Sequence, residues 1–182
     1  VKRDMSAEPH WATYLLDQPL LIAGEERTAV GVKHYCFDPS LAPEGKSVVE
    51  IMMESTQGYW QRIYGRRLYD TEQLQVADIL LDFLEERYPG FRDDVEVKDV
   101  ATPLSYERYT GNWLGSTCGW LLTDKTMMMM VRGMRKTLPG LKNFYMAGQW
   151  VEPGGSVPIV AMSGRNVLQQ ICHRDRKRFV TV

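Results

Sequence analysis

The chain has 182 residues, a formal net charge of −1, 44% apolar residues and 25% charged ones. That length can bury one substantial core, or one core with a smaller satellite, and the balance excludes a disordered chain. The near-neutral charge also excludes a general nucleic-acid binder, which needs surplus Lys and Arg to displace counterions.

Cys36, Cys118 and Cys172 are far apart and lack the close pairing of zinc or redox motifs, so they read as buried thiols in a reducing compartment. His10, His34 and His173 add no metal-ligand spacing, and no metal site is expected. No run approaches the ~18 apolar residues of a spanning helix, and a signal-peptide pattern is missing. A cytoplasmic location follows as the expectation, with peripheral membrane contact as its alternative. The chain begins Val1-Lys2-Arg3 without Met, which fits a piece of a larger protein.

In chain order, residues 1–19 are polar and Pro-interrupted, with Trp11, Tyr14, Leu15 and Leu16 as anchors, and are expected to form a loosely attached arm. From Thr28 to Cys36 residues alternate with period two, which predicts a strand, and Ser47 to Glu54 repeats the pattern. Between them Asp38 to Lys46 is rich in Pro and Gly and must turn. Val76, Leu80, Phe83 and Leu84 recur at helical spacing over about Glu72 to Tyr88, with Asp70 and Gln73 as an N-terminal cap and Pro89-Gly90 as the stop. Val95, Val97 and Val100 suggest a further strand, although the alternation breaks. Ala101 to Gly119 has little periodicity and reads as a surface loop or a cavity lining.

Met127 to Met130 suits core packing or a ligand-lining wall, since thioethers adapt to irregular shapes. After Leu138-Pro139-Gly140 the apolar run Phe144 to Ala147 predicts a strand, and Pro158 to about Cys172 a closing helix ended by a basic cluster from His173 to Arg178. Cations there suit the helix dipole and solvent, membrane-surface contact being the alternative. Between strand and helix lie Gly148-Gln149 and Gly154-Gly155. A strand that empties into glycines and then a helix opened by Pro presents free backbone N–H groups, a seat for a phosphate or an electron-rich ring. The complementary Gly-x-Gly-x-x-Gly turn occurs nowhere in the chain.

Four segments, in order, carry a family resemblance: Asp38 to Lys46; Thr102-Pro103 with Tyr106 to Asn112; Gly115-Ser116 with Gly119-Trp120; and Leu138 to Trp150 continuing through Arg165. Together they resemble the C-terminal portion of the phytoene desaturase and carotenoid isomerase-like flavoproteins, within the wider superfamily that includes amine oxidases. The resemblance implies an α+β chain with a mixed or antiparallel sheet and helices, the C-terminal fragment of a FAD-binding Rossmann-like flavoprotein. Residues 20–125 would belong to its substrate domain and residues 138–175 to its FAD-binding domain.

By the same resemblance Gly148 and Gln149 would lie near the FAD pyrophosphate and ribityl chain, and Gly154, Gly155, Ser156, Val157, Pro158 and Ile159 near the flavin ring. Each has a physical rationale. Gly148 lets a diphosphate approach the backbone, Gln149 can both donate and accept, and free N–H groups near Val157 and Ile159 favour negative charge on a reduced ring. Pro158 cannot donate. Many relatives carry an acid where Gln149 stands, and a third Gly where this chain has Ser156. Arg108, Asn112, Trp113 and Trp120 are candidates to line the substrate entrance, with a surface loop or interface packing as the alternative. Arg165 either pairs internally or supports the cofactor wall.

The implied activity is that of a FAD-dependent oxidoreductase acting on an apolar, carotenoid or isoprenoid, substrate by desaturation or isomerisation, with no catalytic acid or base assigned. Its partner would be the missing N-terminal FAD-binding segment, without which this fragment holds FAD weakly or not at all. Homo-oligomer or membrane-surface contact stays open. The alternatives are a non-catalytic module for protein or lipid contact, and an amine oxidase-like flavoenzyme with a charged or aromatic-caged pocket.

Overall fold

Ala23 and Gly24 both adopt positive φ, 50° and 76°, the geometry of a two-residue hairpin turn whose twist matches that of its strands. A Cβ on Gly24 would lie 2.8 Å from the Tyr59 ring, so packing as well as φ requires glycine there. In the computed structural model, which describes residues 1–120, 123–152 and 154–181 and leaves the Met130 side chain aside, this turn joins β1 (Trp11–Ile22) to β2 (Glu25–His34). The chain divides into two compact units, Val1–Gly115 and Ser116–Val182.

In the first unit β1 and β2 pair antiparallel from Trp11 opposite Lys33 to Leu15 opposite Ala29, and again from Leu20 opposite Arg27. Residues 16–19 bow out between these stretches, where Pro19 has no N–H to give to a ladder. β3 (Val49–Ile51) adds to the far side of β2, with His34 opposite Val49 and Val32 opposite Ile51. The sheet order is β1-β2-β3, antiparallel throughout. The alternation along β2 turns Val30, Val32 and His34 inward, as its sequence period demands.

Helices cover this sheet. α1 (Gln57–Gly65) buries Trp60, and α2 (Tyr69–Arg87) buries Val76, Ala77, Phe83 and Leu84, two pairs seven residues apart on one face. Met5, Val30, Val32, Phe83, Leu84 and Phe91 form one core cluster, and Ile22, Ala23, Trp60 and Val76 another. Full burial of each large apolar side chain contributes about 1.5–3 kcal/mol. Beyond α2, Gly90 at φ 81° opens the short α3 (Phe91–Asp94).

Several expectations need correction here. Residues 1–19 are no loose arm: Met5 is in the core with its N–H on Ser47 Oγ at 2.9 Å, Arg3 pairs with Asp94 at 2.7 Å, and β1 begins at Trp11. Polarity marked this segment as solvated, but its ordering comes from residues distant in sequence. Asp70 does not cap α2; the helix starts at Tyr69, so Asp70 falls in its first turn, and Gln73 instead donates to Val100 O at 2.5 Å. The segment from Val95 to Val100 forms no strand, and Val97 is 84% exposed.

The stretch read as a loop from Ala101 to Gly119 contains α4 (Pro103–Thr110) and a 3-10 turn at Trp113–Gly115. Its helix signal was local: Thr102 and Ser105 form a reciprocal capping box and Pro103 occupies the first turn. Gly115, at φ 65°, packs so closely that a Cβ would stand 1.9 Å from Pro103 O.

The second unit contains α5 (Asp124–Arg132) and α6 (Val157–Arg174). Residues 144–147 form no strand. They have no strand partner among the described residues and run along α6: Gly148 N–H donates to Ser163 Oγ at 2.7 Å, while Arg174 donates to Asn143 Oδ1 and lies over the Tyr145 ring.

The expectation of a Rossmann-like FAD-binding architecture is therefore overturned. The described sheet is a small three-stranded antiparallel one with flanking helices, and no parallel strand pair occurs among the described residues. Parallel sheets need strands buried on both faces by crossover helices, and the limb that precedes α6 has no strand to pair with among the described residues. The three cysteines are not buried thiols either: Cys118 is exposed, and Cys36 and Cys172 are half-buried. Among the described residues no helix is long and apolar enough to cross a membrane, and no group of three or more His, Cys, Asp or Glu is placed to hold a metal ion.

Candidate functional site

The bend between the extended limb and α6 lies wholly in the second unit and is fastened at several points. Gly148 has φ 114°, and Val151 N–H closes the bend onto Gly148 O at 3.2 Å. Ser163, fully buried on α6, accepts the Gly148 N–H and donates to Val160 O at 2.6 Å. Lys136 O accepts the Met146 N–H at 2.8 Å, and its ammonium lies 2.7 Å from Glu152 Oε2. Behind the bend, a Cβ on Gly119 would stand 2.2 Å from Gln149 O, and one on Gly155 3.0 Å from Cys118 Cβ. The 118–120 segment thus backs directly onto the glycine turn. Trp120 adds an indole N–H bond to Trp150 O at 2.9 Å and an edge-on ring contact at 5.5 Å.

The bend leads into the mouth of α6. Ser156 is its N-cap, with extended φ and ψ, and its C=O accepts Val160 N–H at 2.9 Å while its hydroxyl caps nothing. Val157 is 85% exposed, and neither its N–H nor that of Ile159 has a protein acceptor among the described residues. Pro158 between them has no N–H to satisfy. First-turn donors without partners, backed by the helix dipole, are what an anion or an electron-rich ring requires. The space beside Gly148 is open, with no heavy atom within 4 Å of where a Cβ would be.

The residues present thus fit part of the FAD group. The open Cα face of Gly148 and the donors at Val157 and Ile159 suit close approach of an electron-rich ligand. Gly148 N–H is already taken by Ser163, and Gly155 is filled from behind by Cys118. Gln149 is half-buried and its side chain makes no hydrogen bond among the described residues, so its amide can serve a ligand. Gly154 adopts φ 109° and is exposed. Pro153 of the same motif lies outside the described residues.

Of the candidates for a substrate entrance, Arg108, Asn112 and Trp113 belong to the first unit and Trp120 to the second. Arg108 is exposed and lies 5.6 Å from the Tyr109 ring centre, Asn112 O accepts the Gly115 N–H at 3.0 Å, and Trp113 is 74% exposed. Arg165 is exposed on α6, with Phe179 5.9 Å away. The described methionines of α5, Met127, Met128 and Met129, face solvent and not a core; the Met130 side chain lies outside the described residues. Sequence reasoning missed Lys136, Glu152 and Ser163. A Lys and a Glu sixteen positions apart leave no periodic trace, whereas a Ser inside an apolar helix is itself a cue to a backbone partner.

Comparison with known proteins gives partial matches. The chain is 31% identical over 129 residues to prolycopene isomerase 2, chloroplastic, of an Oncidium hybrid cultivar, covering 70% of this chain and 21% of that protein. It is 29% identical over 148 residues to the 4,4'-diapolycopen-4-al dehydrogenase of Metabacillus indicus, covering 78% and 28%. With pyridine nucleotide-disulfide oxidoreductase domain-containing protein 2 of Rattus norvegicus it shares 28% over 149 residues, covering 78% and 24%. The chain spans about a fifth of the length of the isomerase it matches. No family model and no solved structure matches it. The chain therefore has partial homology to carotenoid isomerases and oxidoreductases.

Proposed function

We propose that this chain is part of a FAD-dependent oxidoreductase whose substrate is an apolar, carotenoid or other isoprenoid, molecule that it desaturates or isomerises. The observations that carry the reading are the open mouth of α6, where the Val157 and Ile159 N–H groups lack protein acceptors among the described residues, and the unobstructed Cα face of Gly148 on the limb that leads to it. The relatives' names add the chemistry: one isomerises prolycopene, and another is a dehydrogenase of a polyene aldehyde. When bound, FAD would supply two-electron exchange with a conjugated framework.

The protein's own part is to hold and to exclude. The helix-mouth donors favour electron density on the ring edge they face, Gln149 hydrogen-bonds a hydroxyl or phosphate oxygen, and Gly148 admits the ligand to van der Waals distance of the main chain. The rest of the cofactor site and a homologous FAD-binding segment would come from sequence corresponding to the remaining length of the relatives.

A polypeptide carrying this chain in its natural sequence context should copurify with a yellow chromophore absorbing near the flavin maximum, and Gln149→Ala, which removes a side chain without a hydrogen bond among the described residues, should lower flavin occupancy without unfolding the protein. A colourless wild-type protein that takes up no FAD on titration would sink the proposal. A contact module is favoured instead by one specific feature, the exposed aromatic rings of Tyr109 and Trp113 in the first unit. Under that reading the colourless protein would still associate with a partner or with lipid.

A further inference from the structure

Lys136 is 7% exposed and Glu152 20% exposed, and the 2.7 Å contact between them is the most buried ion pair among the described residues. Most surface pairs contribute little, but a buried pair is different, because losing either partner strands an uncompensated charge. Its position is as informative as its burial. Through its carbonyl, Lys136 holds Met146 on the limb entering the Gly148 bend, and through its ammonium it holds Glu152 on the limb leaving it. One residue therefore fastens both sides of the bend that delivers the chain to Gly154, Gly155 and the mouth of α6. Glu152 Oε2 is buried and has no hydrogen-bond partner among the described residues, so the ammonium of Lys136 at 2.7 Å is what compensates its charge there.

We propose that Lys136 is a positioning residue for the flavin-facing bend, acting through Glu152, and that the mutual neutralisation of the pair keeps a net charge away from the ring. The proposal rests on the flavoprotein reading above, and deepens it. A neutralised pair adds little net field, whereas each single substitution unmasks the opposite charge. Lys136→Met leaves a carboxylate beside the bend, which opposes reduction of the ring. Glu152→Gln leaves an ammonium, which favours it. A purely structural brace would loosen the bend equally in both variants and give no such difference of sign.

The test uses the chain in its natural sequence context with Lys136→Met, Glu152→Gln and the double variant, and reads three quantities. Hydrogen exchange at the Gly148 and Val151 amides, measured without cofactor, should accelerate on the order of tenfold in both single variants, as loss of a buried partner implies. FAD affinity should fall in both, the double variant being no worse than the weaker single one because the two side chains act as a unit. The flavin midpoint potential should move down in Lys136→Met and up in Glu152→Gln.

Unchanged exchange at both amides overturns the fastening role. Potentials that move together or not at all, in protein that does bind FAD, overturn the field role. A wild-type protein that binds no FAD overturns the flavoprotein reading and the field role with it, while the exchange data still decide whether the pair fastens the bend.

Discussion

Ser163→Ala is the sharpest probe of the bend, because it removes one atom from a fully buried position. The hydroxyl accepts the Gly148 N–H at 2.7 Å and donates to Val160 O at 2.6 Å, so it joins the first glycine of the bend to the second turn of α6. Val160 O sits inside the helix and keeps its intrahelical role, so its loss is small. Gly148 N–H loses its acceptor. A buried donor left without a partner costs about 1–3 kcal/mol, and Gly148 is only half-buried, so water reaches it and the lower half of that range applies. About 1.4 kcal/mol corresponds to roughly tenfold in an opening equilibrium.

The assay is amide hydrogen exchange under conditions where reclosing is fast. The Gly148 amide should exchange about tenfold faster in Ser163→Ala, with Val151 following, while amides of β2 in the other unit keep their wild-type rates. Ser163→Cys, which fills the site with a weak donor and acceptor, should fall between. Equal protection of Gly148 in wild type and Ser163→Ala would refute the reasoning, since it would mean the hydroxyl does not hold the bend.

Three further expectations concern the first unit. Gly115→Ala forces a side chain into positive φ with its Cβ 1.9 Å from Pro103 O, a backbone atom that cannot swing aside; a loss of about 3 kcal/mol or more by denaturant unfolding is expected. The Glu85 carboxylate accepts N–H bonds from Arg92 and Gly90, which lower its pKa. Its contribution is present above the ordinary carboxylate range and is lost as pH falls through the lowered value, so the wild-type advantage over Glu85→Gln should shrink on acidification. Burial, with the hydrogen bond to Glu72, pushes the Tyr59 hydroxyl up to about 12. Stability from the neutral phenol is intact below its unfolded pKa and is lost as pH rises through the folded one; Tyr35 and Tyr88 are also raised, so an ultraviolet titration should show several late tyrosines, of which only the Tyr59 component moves down in Glu72→Gln.

What was legible in the sequence was what neighbours along the chain decide. β2 and α2 are periodic, and most of their inward residues could be read from spacing alone, whereas α6 was legible as a helix opened by Pro158 and not by its inward set, which includes Ser163. α4 was legible in principle, since Thr102, Pro103 and Ser105 make a helix start, but its short length gives no periodicity to notice. The first 19 residues and the limb at 144–147 failed for the same physical reason in opposite directions. A polar segment became ordered because Ser47 and Asp94 lie across from it, and an apolar segment formed no strand because none lies across from it among the described residues. Strand identity is a property of pairs, and a single sequence states only one member.

The same reasoning separates the two kinds of residue in the candidate site. Gly148, Gly154 and Gly155 announce themselves because positive φ demands a residue type, and the structure gives all three positive φ. Lys136, Glu152 and Ser163 do not, because any charge or hydroxyl is equally at home on a surface until the fold buries it. A glycine turn without them would be free to sample many paths into α6, and the donors at Val157 and Ile159 would then face no fixed point. If a ligand's electron density is to meet those two amides at hydrogen-bond distance, the bend must be fixed before the ligand arrives, since interactions that must first order a loop give up affinity to do so. The buried pair and the buried hydroxyl are therefore as much a part of the candidate site as the glycines they hold in place.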